Sequence, residues 1–220
     1  GYIGTELCRL YSGISWHHDI LVIDNRFISE RVNQIRNWNM EFIHGDILDK
    51  DLVNKYFKNA DVVHHLAGVT SVPRTKSESS KEQDEKIKLV AEQGTQNILN
   101  AISNECKLIF PSTHVVYEGI SEVRKDIKED EATQPVLSYS SSKAANEKQL
   151  RDSGKNYVIL RLGSVYGYSN DTMRIDIMPN LFSKIASQNG TLKLFASGRQ
   201  IKSLVPLIDV ARCFKFMEEK

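Results

Sequence analysis

Two side chains past the middle of the chain have types and spacing that could do acid–base chemistry. Tyr139 and Lys143 lie in Ser138-Tyr139-Ser140-Ser141-Ser142-Lys143, four apart, and so share one face of any helix that carries them. A cationic Lys beside a Tyr favours the phenolate, a base at a pH where free Tyr is protonated. Free Tyr titrates near ~10, so work near neutrality asks for about 4 kcal/mol of phenolate stabilisation. One ammonium seldom supplies that much, so a second positive charge is expected close by. With eight Tyr in a Lys-rich chain the spacing alone carries little weight, and an exposed Tyr on a polar helix is the plainer reading.

Other residues able to take part in chemistry change the odds by their order. Gly1-Tyr2-Ile3-Gly4 runs into a helical pattern. A glycine turn entering a helix lets backbone N–H groups approach a pyrophosphate, and the helix N-terminus favours its charge. About 20 residues later Asp24 closes an apolar run, the place for an acidic residue that binds both hydroxyls of a ribose. Its charge would repel a 2′-phosphate and favour NAD over NADP, with Arg26 nearby acting in the opposite sense. His64, His65 and His114 invite a metal, but neighbours on a strand point to opposite faces, so His64 and His65 do not share one, and no metal site is expected.

These residues must be positioned by strands and helices. Ile3, Leu7, Leu10, Tyr11 and Ile14 repeat at helical spacing, and Gly13 offers a stop. Short apolar runs at Ile20–Ile23, Glu41–Ile43, Ala60–His64, Lys107–Phe110 and Tyr157–Leu160 read as buried strands. Helices are expected from Ser29, as cap, to about Trp38, over Leu52–Phe57, from Leu89 to about Ser103 and through Tyr139 and Lys143. The polar stretch Thr75–Lys88 reads as a solvated loop and the exposed side of a helix, and Glu118–Glu131 as a loop. Beyond Gly167 a helix over Ile177–Ser187 and a short strand at Leu192–Phe195 precede the segment Leu204–Asp209, and a last helix begins near Asp209. Alternating strands and helices with short connections argue an α/β, doubly wound parallel sheet. Asp24, Gly45-Asp46-Ile47 and Leu66-Ala67-Gly68 then all lie at strand carboxyl ends, the edge where such sheets bind ligands.

Composition sets outer bounds. The 220 residues carry 29 basic and 28 acidic side chains, so nothing marks a nucleic-acid or membrane-surface partner. Cys8, Cys106 and Cys213 are far apart and form no disulfide or metal framework, which suits a reducing cytoplasm. No apolar run approaches ~18 residues, so no transmembrane helix is expected.

Taken in order, these motifs resemble the extended short-chain dehydrogenase/reductase family of NAD-dependent sugar-nucleotide epimerases, dehydratases and decarboxylases. Gly1-Tyr2-Ile3-Gly4 is similar to the last half of its glycine motif, Asp24-Asn25 to its ribose site and Gly45-Asp46-Ile47 to its adenine turn. His65-Leu66-Ala67-Gly68 resembles the cofactor turn after the fourth strand, and Phe110 to Tyr117 the active-site segment. The resemblance implies a Rossmann fold, bound NAD, and catalysis by Thr113, Tyr139 and Lys143 with transient hydride transfer. It implies cofactor contacts from Gly1, Tyr2, Ile3, Gly4, Asp24, Asn25, Asp46, Ile47, Leu66, Ala67, Gly68 and Ser112, besides Tyr139 and Lys143. A nucleotide-sugar substrate and a homodimer are likewise implied. Residues 1–168 are expected to be an N-terminally truncated NAD-binding domain, and 169–220 a partial substrate-binding region with a late Rossmann junction near 204–220.

Departures refine the expectation. Ser164 stands where the family usually has an Asn against the sugar-nucleotide phosphates, and Lys202 where it has an Arg, keeping charge but losing the bidentate fork. His114 and Val115 replace the Asp-Glu pair of the 4,6-dehydratases, which leaves no evident acid and base for eliminating water. The family's motif starts before Gly1, so the chain reads as a fragment lacking the first strand and most of the C-terminal domain, with weak or no cofactor binding of its own. A sugar-nucleotide epimerase is the reading; a reductase or decarboxylase of the same fold, or a non-catalytic NAD(H)-binding module, is the alternative.

Overall fold

Helix α1 (Tyr2–Tyr11) buries Tyr2, Leu7 and Tyr11, the side that its apolar spacing dictates. The computed structural model describes residues 1–69, 75–169 and 172–220, and of residues 195 and 196 the backbone alone. By packing these form two compact units, Gly1–Ile43 with Leu162–Lys220, and His44–Arg161.

In the first unit β1 (Leu21–Asp24) and α2 (Ser29–Asn37) precede β2 (Glu41–His44), which pairs with β1. Ser29 is not a cap: the Val32 N–H already bonds the Ile28 carbonyl at 2.9 Å, so the first turn closes one residue earlier and Ser29 lies inside it. Later come β6 (Ser164–Tyr166), α7 (Met178–Ser187), β7 (Leu204–Pro206) and α8 (Leu207–Glu218). β6 and β7 run parallel with Ser164 opposite Leu204, and α8 packs on α1 through buried Leu207, Val210, Ala211 and Phe214. The strand expected at Leu192–Phe195 is absent: residues 191–194 have no regular structure and 195–198 form a 3-10 turn. Leu192 and Leu194 are exposed, with no packed face to hold them extended.

The second unit holds α3 (Lys50–Phe57), β3 (Val62–His64), α4 (Lys81–Lys88), α5 (Gly94–Ala101), β4 (Lys107–Thr113), α6 (Ser138–Asp152) and β5, which starts at Asn156 and ends at Leu162. The sheet order is β3-β4-β5, and β3 is parallel to β4 with Val63 opposite Leu108. Ile47, Val53, Val63, Ile98, Leu99, Ile102, Cys106, Leu108, Phe110 and Leu150 fill one core between sheet and helices. The polar Thr75–Lys88 stretch contains α4, whose Ile87 alone is buried. α4 passes into α5 through a π turn at Leu89–Gln93. There the Asn146 amide of α6 donates to the Ala91 carbonyl and the Gln149 amide to that of Glu92, each at 3.0 Å. Two amides of the facing helix thus bond carbonyls of this turn, and the Ala91 carbonyl also accepts the Gly94 N–H. Gly94 is dictated by close approach, because a Cβ there would come within 2.3 Å of Ile47 Cδ1.

Candidate active site

β4 runs three residues further than its apolar stretch, through Pro111 and Ser112 to Thr113. Alternation along the strand puts Phe110 and Ser112 on one face, and α6 lies against it. Lys143 of α6 donates from Nζ to the Pro111 carbonyl at 2.7 Å and lies 4.3 Å from the centre of the Phe110 ring. The same ammonium is 6.0 Å from the centre of the Tyr139 ring, one turn earlier. Thr113 ends the strand, and its Oγ1 accepts the Val115 N–H at 3.3 Å, capping a 3-10 turn over His114–Tyr117.

Burial pulls the Lys143 pKa down to about 8, while the negative charge of Glu147 acts in the opposite sense. Behind Phe110 lies His65, 3 % exposed, its Nε2 2.9 Å from Thr95 Oγ1. Burial, helped by the Lys143 charge, lowers its pKa to about 3, so it is neutral in any physiological medium. That pairing accounts for one of the two adjacent histidines as a packed, hydrogen-bonded residue.

One turn beyond Lys143, Glu147 is 1 % exposed. It accepts from Ser112 Oγ at 2.5 Å, from Arg161 Nε at 2.9 Å and Nη2 at 2.7 Å, and from Arg151 Nη2 at 2.7 Å. Burial pushes its carboxyl pKa up, but the hydrogen bonds and charges of Arg161 and the Ser112 hydroxyl outweigh this and hold it below the usual range. Arg161 also donates to the Tyr117 hydroxyl and the Glu129 carbonyl. Of this network the sequence assigns a role to Ser112 alone, as a cofactor contact, although Tyr139, Lys143, Glu147 and Arg151 continue one spacing of four.

Glu118, read as a loop residue, caps α6. Its Oε1 accepts the N–H groups of Val136 at 2.9 Å and Leu137 at 2.7 Å and the Ser140 hydroxyl. A carboxylate there meets both the free donors and the positive end of the helix. Glu118→Ala is expected to lower stability by about 1–2 kcal/mol, read as a fall in the urea midpoint at unchanged slope.

The remaining predicted residues fall in two places. In the second unit the Asp46 carboxylate accepts the Leu48 N–H at 2.9 Å, and the Ile47 side chain is buried, its carbonyl taken by Asn97 at 2.9 Å. Leu66 is half-buried, Ala67 and Gly68 are exposed, and a Cβ on Gly68 would meet nothing within 4 Å. The Ser112 hydroxyl is committed to Glu147. In the first unit, helix α1 starts just after Gly1 and contains Ile3 and Gly4, while the Tyr2 hydroxyl donates to the Gly167 carbonyl at 2.5 Å. Asp24 ends β1 with Asn25 beyond it; one carboxylate oxygen accepts the Arg26 N–H at 2.9 Å and the other lies 3.5 Å from the Gly1 nitrogen. Ser164 donates its N–H to the Ser203 carbonyl at 2.7 Å, which brings it beside exposed Lys202. Among the described residues no cluster of three metal-ligating side chains occurs, and no helix is long and apolar enough to cross a membrane.

The chain is thus α/β with parallel strand pairs and a Tyr-x-x-x-Lys helix held against the sheet. The chain belongs to the NAD dependent epimerase/dehydratase family, whose model matches residues 1–220. It is 24 % identical over 241 residues to the dTDP-D-glucose 4,6-dehydratase of Dictyostelium discoideum, covering all of this chain and 54 % of that one. It is 27 % identical over 234 residues to the UDP-N-acetyl-alpha-D-glucosaminuronate decarboxylase of Bacillus cytotoxicus, covering 100 % and 69 %. Among solved structures it is similar to the UDP-glucuronic acid 4-epimerase of Bacillus cereus in complex with UDP-glucuronic acid and NAD. There the TM-score is 0.82 at 26 % identity, over all of this chain and 71 % of that one. The fold is thus the Rossmann type of that epimerase, and the family is NAD-dependent.

Proposed function

We propose that this chain carries the catalytic centre of an NAD-dependent sugar-nucleotide epimerase, with Tyr139 as base, Thr113 binding the reacting oxygen and Lys143 setting the charge of Tyr139. The observation that carries the reading is the placement of Lys143. Its ammonium is anchored to the Pro111 carbonyl, two residues before Thr113, and faces the Tyr139 ring.

The residues present fit NAD. The first turn of α1 has no acidic side chain, which suits a pyrophosphate, and Asp24 brings a carboxylate to the same helix end for ribose hydroxyls. Gly1 to Gly4, Asp24, Asn25, the Asp46–Ile47 turn and Leu66 to Gly68 would hold it, while the Ser112 hydroxyl is taken by Glu147; residues 1–168 would be its domain and 169–220 part of the substrate region. NAD, when bound, supplies the two-electron oxidation of a hydroxyl-bearing carbon and the return reduction. Tyr139 takes the proton of that hydroxyl and later gives it back. Thr113 hydrogen-bonds the same oxygen, and the Lys143 ammonium lowers the cost of the phenolate. Ser164 and Lys202, side by side, would meet the diphosphate of a nucleotide sugar. A homodimer and a reducing cytoplasm belong to the same reading; the three cysteines are free.

The full-length protein, given UDP-glucose or UDP-glucuronic acid, is expected to interconvert 4-epimers with no net release of NADH. Stoichiometric NADH in solution would assign a reductase and released carbon dioxide a decarboxylase. NAD binding with no turnover of any sugar nucleotide would assign a binding module.

A further inference from the structure

The Lys143 and Glu147 side chains make two successive rungs between α6 and the end of β4. Lys143 donates to the Pro111 carbonyl and Glu147 accepts from the Ser112 hydroxyl, so consecutive β4 residues are held by helix residues one turn apart. Thr113 is the next residue. The second rung is tied to β5 by the two-pronged donation of Arg161, and that guanidinium is in turn fixed by the Tyr117 hydroxyl and the Glu129 carbonyl. A carboxylate that is 1 % exposed and takes four hydrogen bonds from three elements does more than α6 needs to stay on the sheet, where Leu150 is already fully buried.

We propose that Glu147 is a positioning residue of the reaction: its carboxylate locks the Tyr139–Lys143 face of α6 in register with Thr113 and balances the positive charge gathered behind Lys143. The proposal rests on the catalytic reading of Thr113, Tyr139 and Lys143. The charge balance is explicit in the surroundings. Lys143 is faced by Tyr139 and Glu147 on its own helix and, across Phe110, by neutral His65 at the end of β3. Glu147 is faced by Arg151 on α6 and Arg161 on β5, and Arg161 by Tyr117 of the 3-10 turn. On α4, Asp84 accepts from Ser79 and Ser138, at the far end of α6. Removing the Glu147 charge leaves two guanidinium groups and one ammonium with no carboxylate between them, so Lys143 sheds its proton at lower pH.

The test compares Glu147→Gln with the unaltered full-length protein loaded with NAD, by turnover and by the pH dependence of Lys143 acylation, followed by mass spectrometry. The Gln variant is expected to lose about 10- to 100-fold in kcat with KM unchanged. Its acylation midpoint moves below the value near 8 expected of the unaltered protein. If the Gln variant does not fold, Glu147→Asp serves: the charge is kept and the reach shortened, so kcat falls and the midpoint stays. A folded Glu147 variant with unchanged kcat overturns the proposal. Tyr139→Phe, assayed in parallel, separates the two levels. Turnover surviving in it overturns both the catalytic reading and the role of Glu147, whereas an inactive Tyr139→Phe beside a fully active Glu147→Gln overturns the role of Glu147 alone.

Discussion

Tyr139→Phe in the full-length, NAD-loaded protein is expected to lose about 10²–10⁴-fold in kcat, the range for removing a positioned acid–base group. The ring and its place beside the Lys143 ammonium remain, since that contact is with the ring at 6.0 Å. NAD affinity, read by calorimetry, is therefore expected to hold. Loss of both together would mean that the hydroxyl serves binding, and retained turnover would remove Tyr139 from the chemistry. The size of the effect follows from the mechanism: with no phenolate, water is the remaining acceptor for the substrate proton.

Phe110→Ala should have the largest effect on stability, about 3–5 kcal/mol, because it empties the centre of a packed core. Phe110 is 1 % exposed and belongs to the cluster that joins β3, β4, α5 and α6. It is also the apolar platform of Lys143, at 4.3 Å. Water entering that space would raise the Lys143 pKa from about 8 towards its ordinary value, opposite in sign to the effect of Glu147→Gln. The pH dependence of unfolding carries the same signature. Between about 8 and 10.5 the unfolded chain holds the Lys143 proton and the folded chain does not, so stability rises with pH across that window. In Phe110→Ala the rise should flatten. A denaturant midpoint measured across that window checks both statements.

Strands and helices with strong apolar spacing were legible because burial dictates that spacing. Helix α1 and strands β3 and β4 follow from it, whereas α6, with Leu150 its one buried apolar side chain, was placed by Tyr139 and Lys143 instead. Where burial was weak the sequence misled: Leu192 and Leu194 alternate like a strand and remain exposed, with no packed face to hold them. The Tyr139–Lys143 spacing was legible because four residues make one helical turn. Glu147 escaped because its meaning depends on Arg161 and Ser112, 14 and 35 positions away, which meet it only through folding. Glu118 escaped for the same reason: a side chain that caps a helix from 18 positions upstream leaves no local signature.

The π turn at Leu89–Gln93 has a mechanical consequence. Asn146 and Gln149 peg α6 to two particular carbonyls of that turn, and sliding by one residue would break both pegs at once. Helices packed by apolar ridges alone can ratchet past one another, whereas this pair is also fixed in register by two side-chain hydrogen bonds. Tyr139 and Lys143 lie on that same helix α6, upstream of both pegs.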